Sequence, residues 1–202
     1  MKATIEKPEV LDQPRHAAMV RVTHWIHTFT FLALLISGVA ILMAHPHLYW
    51  GETGAFGSPA LIDLPLPLNT DQSGWGRSLH FLAAWIGVLN GMVYVVFGLL
   101  AGHFRSNMIR TYNVLQRLAY LAVVFVLFPL MIGTGLAMSP AVMAVLPAMV
   151  GFFGGHQSAR TIHFVVMDSL LLFLVVHVAM VYLTGFRERM GAMIIGRGAA
   201  QL

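Results

Sequence analysis

Histidine is the residue to explain in this chain, because ten occur beside only 8 acidic side chains and no cysteine. The imidazole ring titrates near neutral pH and is the commonest nitrogen ligand of transition metals. Several of the ten fall inside or at the edge of long apolar runs, where a polar ring needs a partner. His163 and His177 share one run and are 14 residues apart. At about 100° and 1.5 Å per residue they return to within about 40° of one helix face, roughly 21 Å apart along it. Two depths on one helix require a facing residue at each depth. His80 opens the second run, level with His163, and His24 and His27 open the first run, level with His177. Imidazoles from facing helices can fill both axial positions of a haem iron lying edge-on between them, and two haems stacked through a bilayer form an electron path. A single metal ion would instead gather three or four ligands about one point. One histidine in a membrane helix is simply explained by a hydrogen bond to a neighbouring helix. Four that agree in depth, face and helix direction are not.

Arg21, Arg77 and Arg160 each stand three residues before His24, His80 and His163, on the helix face of the histidine that follows. Arginine suits the carboxylates of haem propionates, with anchoring at the membrane interface as the plainer role. Of the i, i+3 neighbours His24 and His27, only one can face His177. Taking Arg15 and Arg187 as interface marks, His24 lies about 13 Å deep and His177 about 15 Å, which favours His24 and leaves His27 as the alternative. Gly38 lies 14 residues beyond His24 on the same face, where a missing side chain makes room for the outer haem. His16, His45, His47, His103 and His156 fall in arms and loops and read as surface residues.

The elements that must position these residues are membrane helices. The chain has 202 residues, 58% of them hydrophobic and 10% charged, with a mean hydropathy of +0.77, well outside the soluble balance. Apolar runs at about 22–44, 79–101, 115–138 and 161–184 are each long enough to span a bilayer. The expected fold is all-α, an integral membrane four-helix up-and-down bundle forming one domain over 1–202. Ten of the twelve basic residues fall in the N-terminal arm, the second loop and the tail, and only Arg77 and Arg160 on the other side. That bias places both termini in the cytoplasm. The basic residues form no dense patch, so nucleic acid is not expected as a partner. Without cysteine the chain has no disulfide, iron–sulfur cluster or thioether-linked haem. Any haem is non-covalent. The stretch Ser139 to Gly155 is apolar for a loop and reads as an interfacial helix or a partner-covered surface. Asp168 faces away from the histidines, about 140° from His163.

At these residues the chain resembles the prokaryotic di-haem cytochrome b family, the membrane subunits of nickel–iron hydrogenases, formate dehydrogenases and thiosulfate reductases. The matching stretches are Arg21-Val22-Thr23-His24-Trp25, Ser78-Leu79-His80-Phe81 and the two histidines 14 apart. The resemblance implies two b-type haems with bis-histidine ligation, His24 with His177 and His80 with His163. It also implies a quinone pocket at Tyr112-Asn113-Val114-Leu115-Gln116, lined by Asn113 and Gln116, although Asn followed three residues later by Gln is equally a helix-capping pattern. The expected function is transmembrane electron transfer in the bacterial inner membrane, between the quinone pool and a periplasmic oxidoreductase subunit or soluble electron carrier. The chain is then the electron-transfer subunit of an oxidoreductase complex, and no catalytic residue is assigned beyond the ligands. Two other functions fit the same residues: a stand-alone cytochrome b that oxidises superoxide and reduces quinone, and a haem-free membrane metal-binding or transport bundle.

Overall fold

The computed structural model describes residues 17–54, 58–67, 73–101, 118–119 and 121–196. It is an all-α bundle with one minimal hairpin. Three described helices are long and apolar enough to cross a membrane: α1 (Ala18–Ala44), α2 (Ser73–Leu100) and α6 (His156–Leu183). The fourth expected span is described from residue 118. It runs through a wide-turn π-helical segment, Val123–Leu127, into α3 (Phe128–Ala137). Pro129 explains the wide turns, because proline has no N–H and its ring clashes with the carbonyl four residues back in a regular helix.

Small and hydroxyl residues let the first two helices approach closely. Thr23, Thr30, Ser37 and Ala44 recur every seven residues on α1 and are all buried, opposite Gly76, Ala83 and Asn90 at the same spacing on α2. A Cβ at Gly76 would lie 3.1 Å from that of Ala40, and Asn90 Nδ2 donates to the Thr23 carbonyl at 2.8 Å. This is small-residue packing of the kind that holds membrane helices together. The Thr and Ser hydroxyls are satisfied within α1 by carbonyls one turn back, so burying them leaves no orphan donor. On the other side of the bundle, α3 packs on α6. Val123, Val166 and Leu170 form a buried cluster there, joined by Phe31 from α1 and Phe173 from α6.

At one end, β1 (His47–Leu48) pairs antiparallel with β2 (Ile62–Asp63). The chain beside this hairpin is bolted to the start of α6. Thr161 Oγ1 donates to the Tyr49 carbonyl at 2.6 Å, Gly51 N–H to Ser158 Oγ at 2.8 Å, and the N–H groups of Gln157 and Ser158 both point at the Gly51 carbonyl. Two of the free donors of the helix N-terminus are thereby used. The apolar stretch before α6 folds as two short helices, α4 (Pro140–Val145) and α5 (Ala148–Phe152). Their Val150 is buried with Ala137 and Ala159, while Val145 and Phe152 are more than four-fifths exposed. At the opposite end the tail forms α7 (Phe186–Ile194). Its last carbonyls accept hydrogen bonds from Arg21 Nη1 and Trp25 Nε1, both at 3.2 Å.

Candidate functional site

His80 on α2 and His163 on α6 meet at the hairpin end, with ring centres 6.2 Å apart and ring planes at 60°. Two imidazoles bound through nitrogen to one metal, each at about 2 Å with about 1.1 Å more to the ring centre, have centres about 6 Å apart. The observed spacing fits an iron between them. Each ring is held from a third direction by a hydroxyl on a different helix. Ser37 Oγ of α1 lies 3.0 Å from His80 Nδ1, and Thr134 Oγ1 of α3 lies 2.9 Å from His163 Nδ1. Both hydroxyl residues are wholly buried. All four helices therefore contribute to this layer.

Each hydroxyl residue is followed by glycine, and the absent side chains matter. A Cβ at Gly38 would lie 3.7 Å from His80 Cε1, and one at Gly135 would lie 3.5 Å from His163 Cε1. Any longer side chain would occupy the space beside the rings that a flat macrocycle needs. Gly38 was expected here from its spacing. Ser37, Thr134 and Gly135 were not, although the repeated hydroxyl–glycine pair at 37–38 and 134–135 was the signal that could have pointed to them.

Arg77 and Arg160 share this end of the bundle. The Arg160 guanidinium donates to the carbonyl of His45, the residue just past α1. His45 itself is held below its ordinary value of 6.5, by burial first and then by the charges of Arg160 and Arg77. The two guanidinium groups, with the uncharged His45 ring beside them, make this end of the bundle positive and suited to an anionic group. His45 is exposed, as expected of a surface residue, and its ring lies within the field of both guanidinium groups. His47 pairs instead with Asp63 at 2.8 Å.

The second layer is less closed. His24 stands edge-on to Trp25, with centres 5.7 Å apart. His177 stacks on Phe173 at 6.0 Å. His27 stacks on Phe128 of α3 at 6.4 Å and lies 3.6 Å from where a Cβ of Gly91 on α2 would be. Among the described residues, neither His24 nor His27 meets His177 ring to ring. Arg21, expected beside the inner haem, has its Nη1 on the Ile194 carbonyl. Asn113 and Gln116 lie outside the described residues. Asp168 is exposed on α6.

The profile of the prokaryotic cytochrome b561 family matches residues 15–196. The chain is 29% identical over 195 residues to the putative protein-methionine-sulfoxide reductase subunit YedZ1 of Azospira oryzae, covering 83% of this chain and 90% of that protein. No solved structure matches. The family match spans every helix that carries a candidate ligand, and the paired imidazoles fit the cofactor that the family binds. The chain belongs to the prokaryotic cytochrome b561 family: it is a multi-pass protein of the bacterial inner membrane that binds b-type haem and transfers electrons.

Proposed function

We propose that this chain is the electron-transfer subunit of an oxidoreductase complex, with one haem between His80 and His163 and a second between His24 and His177, linking a periplasmic redox partner to the quinone pool. The observation that carries the reading is the His80–His163 pair, whose 6.2 Å ring separation fits two axial ligands of one iron. When bound, b-type haem supplies a one-electron couple at each depth. His80 with His163 and His24 with His177 would each hold a haem through two imidazoles and leave no open site for substrate, which suits relay rather than chemistry at the metal. Arg77, Arg160 and the neutral His45 cap the hairpin end, where the two guanidinium groups would hold propionates in charge-assisted pairs.

For the second layer, the helix columns favour His24. His24, Phe31 and Gly38 recur every seven residues on α1; Phe31 packs into the cluster with Val166 and Leu170, and Gly38 abuts His80. That column faces the bundle interior. His163, Leu170 and His177 make the matching column on α6. Between the layers, the cluster of Val123, Val166 and Leu170 keeps water out.

The bias of the basic residues supports a cytoplasmic side for both termini and a periplasmic side for the hairpin, α4 and α5. A periplasmic oxidoreductase partner is supported by the relative's name, which makes that protein a subunit of a larger reductase. The exposed Val145 and Phe152 add apolar surface at the same end. Asn113 and Gln116 carry the amide donors that a quinone carbonyl would need, and the resemblance of their stretch to the family's quinone motif supports that assignment. The test is a reduced-minus-oxidised spectrum of the purified protein with a haem-to-protein ratio. Two haems per chain are expected, with His80→Ala and His163→Ala each keeping one. A ratio of one in the wild-type protein would overturn the two-haem reading.

A further inference from the structure

We propose that Ser37 and Thr134 are positioning residues that lock His80 and His163 as Nδ1–H tautomers, so that both Nε2 lone pairs are presented to the same site. This rests on the reading of His80 and His163 as axial ligands. The argument is a count of protons. A hydroxyl has one proton to donate and two lone pairs to accept with. Ser37 Oγ lies 2.7 Å from the Ala33 carbonyl and 3.1 Å from that of Leu34. Thr134 Oγ1 lies 2.6 Å from the Leu130 carbonyl and 3.2 Å from that of Met131. A carbonyl can only accept, and in both residues the contact to a carbonyl is shorter than the contact to the ring nitrogen, 2.7 against 3.0 Å for Ser37 and 2.6 against 2.9 Å for Thr134, so we assign the hydroxyl proton to the helix backbone. What remains for the imidazole is a lone pair, and Nδ1 must carry the hydrogen.

A neutral imidazole protonated at Nδ1 has its free lone pair on Nε2. The arrangement is the same on both sides of the layer although the supporting helices differ, α1 for His80 and α3 for His163. The glycine after each hydroxyl leaves the Cε1 edge of the ring uncrowded. Such outer partners fix ring orientation, raise ligand basicity and typically account for about 10- to 100-fold in metal affinity. A more basic imidazole favours ferric over ferrous iron, so losing the hydroxyl raises the midpoint potential of that haem.

The experiment uses the full-length haem-loaded protein in detergent. Ser37→Ala and Thr134→Val should each raise the midpoint potential of one haem, leave the other unchanged, and weaken retention of the affected haem by about 10- to 100-fold. The low-spin ferric EPR signal reports the angle between axial imidazole planes, here 60°, and should broaden or shift as the freed ring rotates. Ser37→Thr and Thr134→Ser keep the acceptor and should restore both readouts. The unaffected haem serves as the folding control. Unchanged potential and EPR signal in both hydroxyl-free variants would overturn the proposal, as would equal shifts of both haems or failure of the conservative variants to rescue. If His80→Ala and His163→Ala do not remove the same haem, it is the ligand reading that fails.

Discussion

At the scale of single residues, what each imidazole does is decided by the few atoms around it. Gly38 and Gly135 stand in ordinary contact distance of His80 and His163, so one added methyl fits and a long side chain does not. Gly38→Ala should keep both haems, whereas Gly38→Leu should lose one, read from the haem-to-protein ratio. His45 shows the opposite kind of dependence, on charge. Burial, then Arg160, then Arg77 lower its pKa in the folded protein, so it is neutral at pH 7. Between that lowered value and the ordinary 6.5 the unfolded chain binds the extra proton, and folding stability therefore rises with pH through this window. A histidine NMR titration of the haem-free protein should give His45 below 6.5, and Arg77→Gln should move it upward; a value at or above 6.5 in the wild type would contradict the placement. The geometry of these contacts was only half legible. The spacing of His80, His163 and Gly38 along helices can be read from periodicity, because period is a property of the chain. That Ser37 and Thr134 turn toward those rings depends on how four helices rotate against one another, and no local pattern encodes it.

At the scale of elements, the long helices were written in hydropathy and the devices that join them were not. Four apolar runs are plain, but the wide turns at Val123–Leu127 follow from one proline acting inside a run that is otherwise uniform. The short tail likewise gave little sign that α7 would fold back on α1 through Arg21 and Trp25. Trp25→Phe removes the bond to the Met193 carbonyl while keeping the apolar ring, and should cost about 1 kcal/mol, seen as a lower melting temperature and faster proteolysis within α7. The hairpin clamp is more demanding. Gly155 has φ of +115° and no room for a Cβ, which would lie 2.4 Å from the Gly51 carbonyl carbon. Gly155→Ala therefore combines about 1–3 kcal/mol of backbone strain with a steric clash that separates the hairpin from the start of α6. Thermal unfolding in detergent should show a loss larger than that of Trp25→Phe, and a smaller one would mean that the clamp is not rigid.

At the scale of the whole molecule, the arrangement is two histidine layers separated by an apolar one, and the columns on α1 and α6 run through all three. On α6 the order is His163, Leu170, His177; on α1 it is Gly38, Phe31, His24. Leu170 and Phe31 meet in the middle cluster, which sets the rotation of both helices, and that rotation carries His24 toward the interior two turns further on. His27 stands three residues away in sequence but belongs to another column, the one that packs on Gly91 and Phe128. The two histidines can be separated by one comparison. His24→Ala should reduce the haem-to-protein ratio from two to one, and His177→Ala should remove the same haem, identified by its midpoint potential. His27→Ala should keep both haems and cost only packing against α2 and α3. If His27→Ala and His177→Ala instead remove the same haem while His24→Ala keeps it, the ligand lies in the other column. The middle layer would then have to tolerate α1 turned by about 60° from the orientation that Phe31 and Gly38 give it, since three residues of helix amount to roughly 300°.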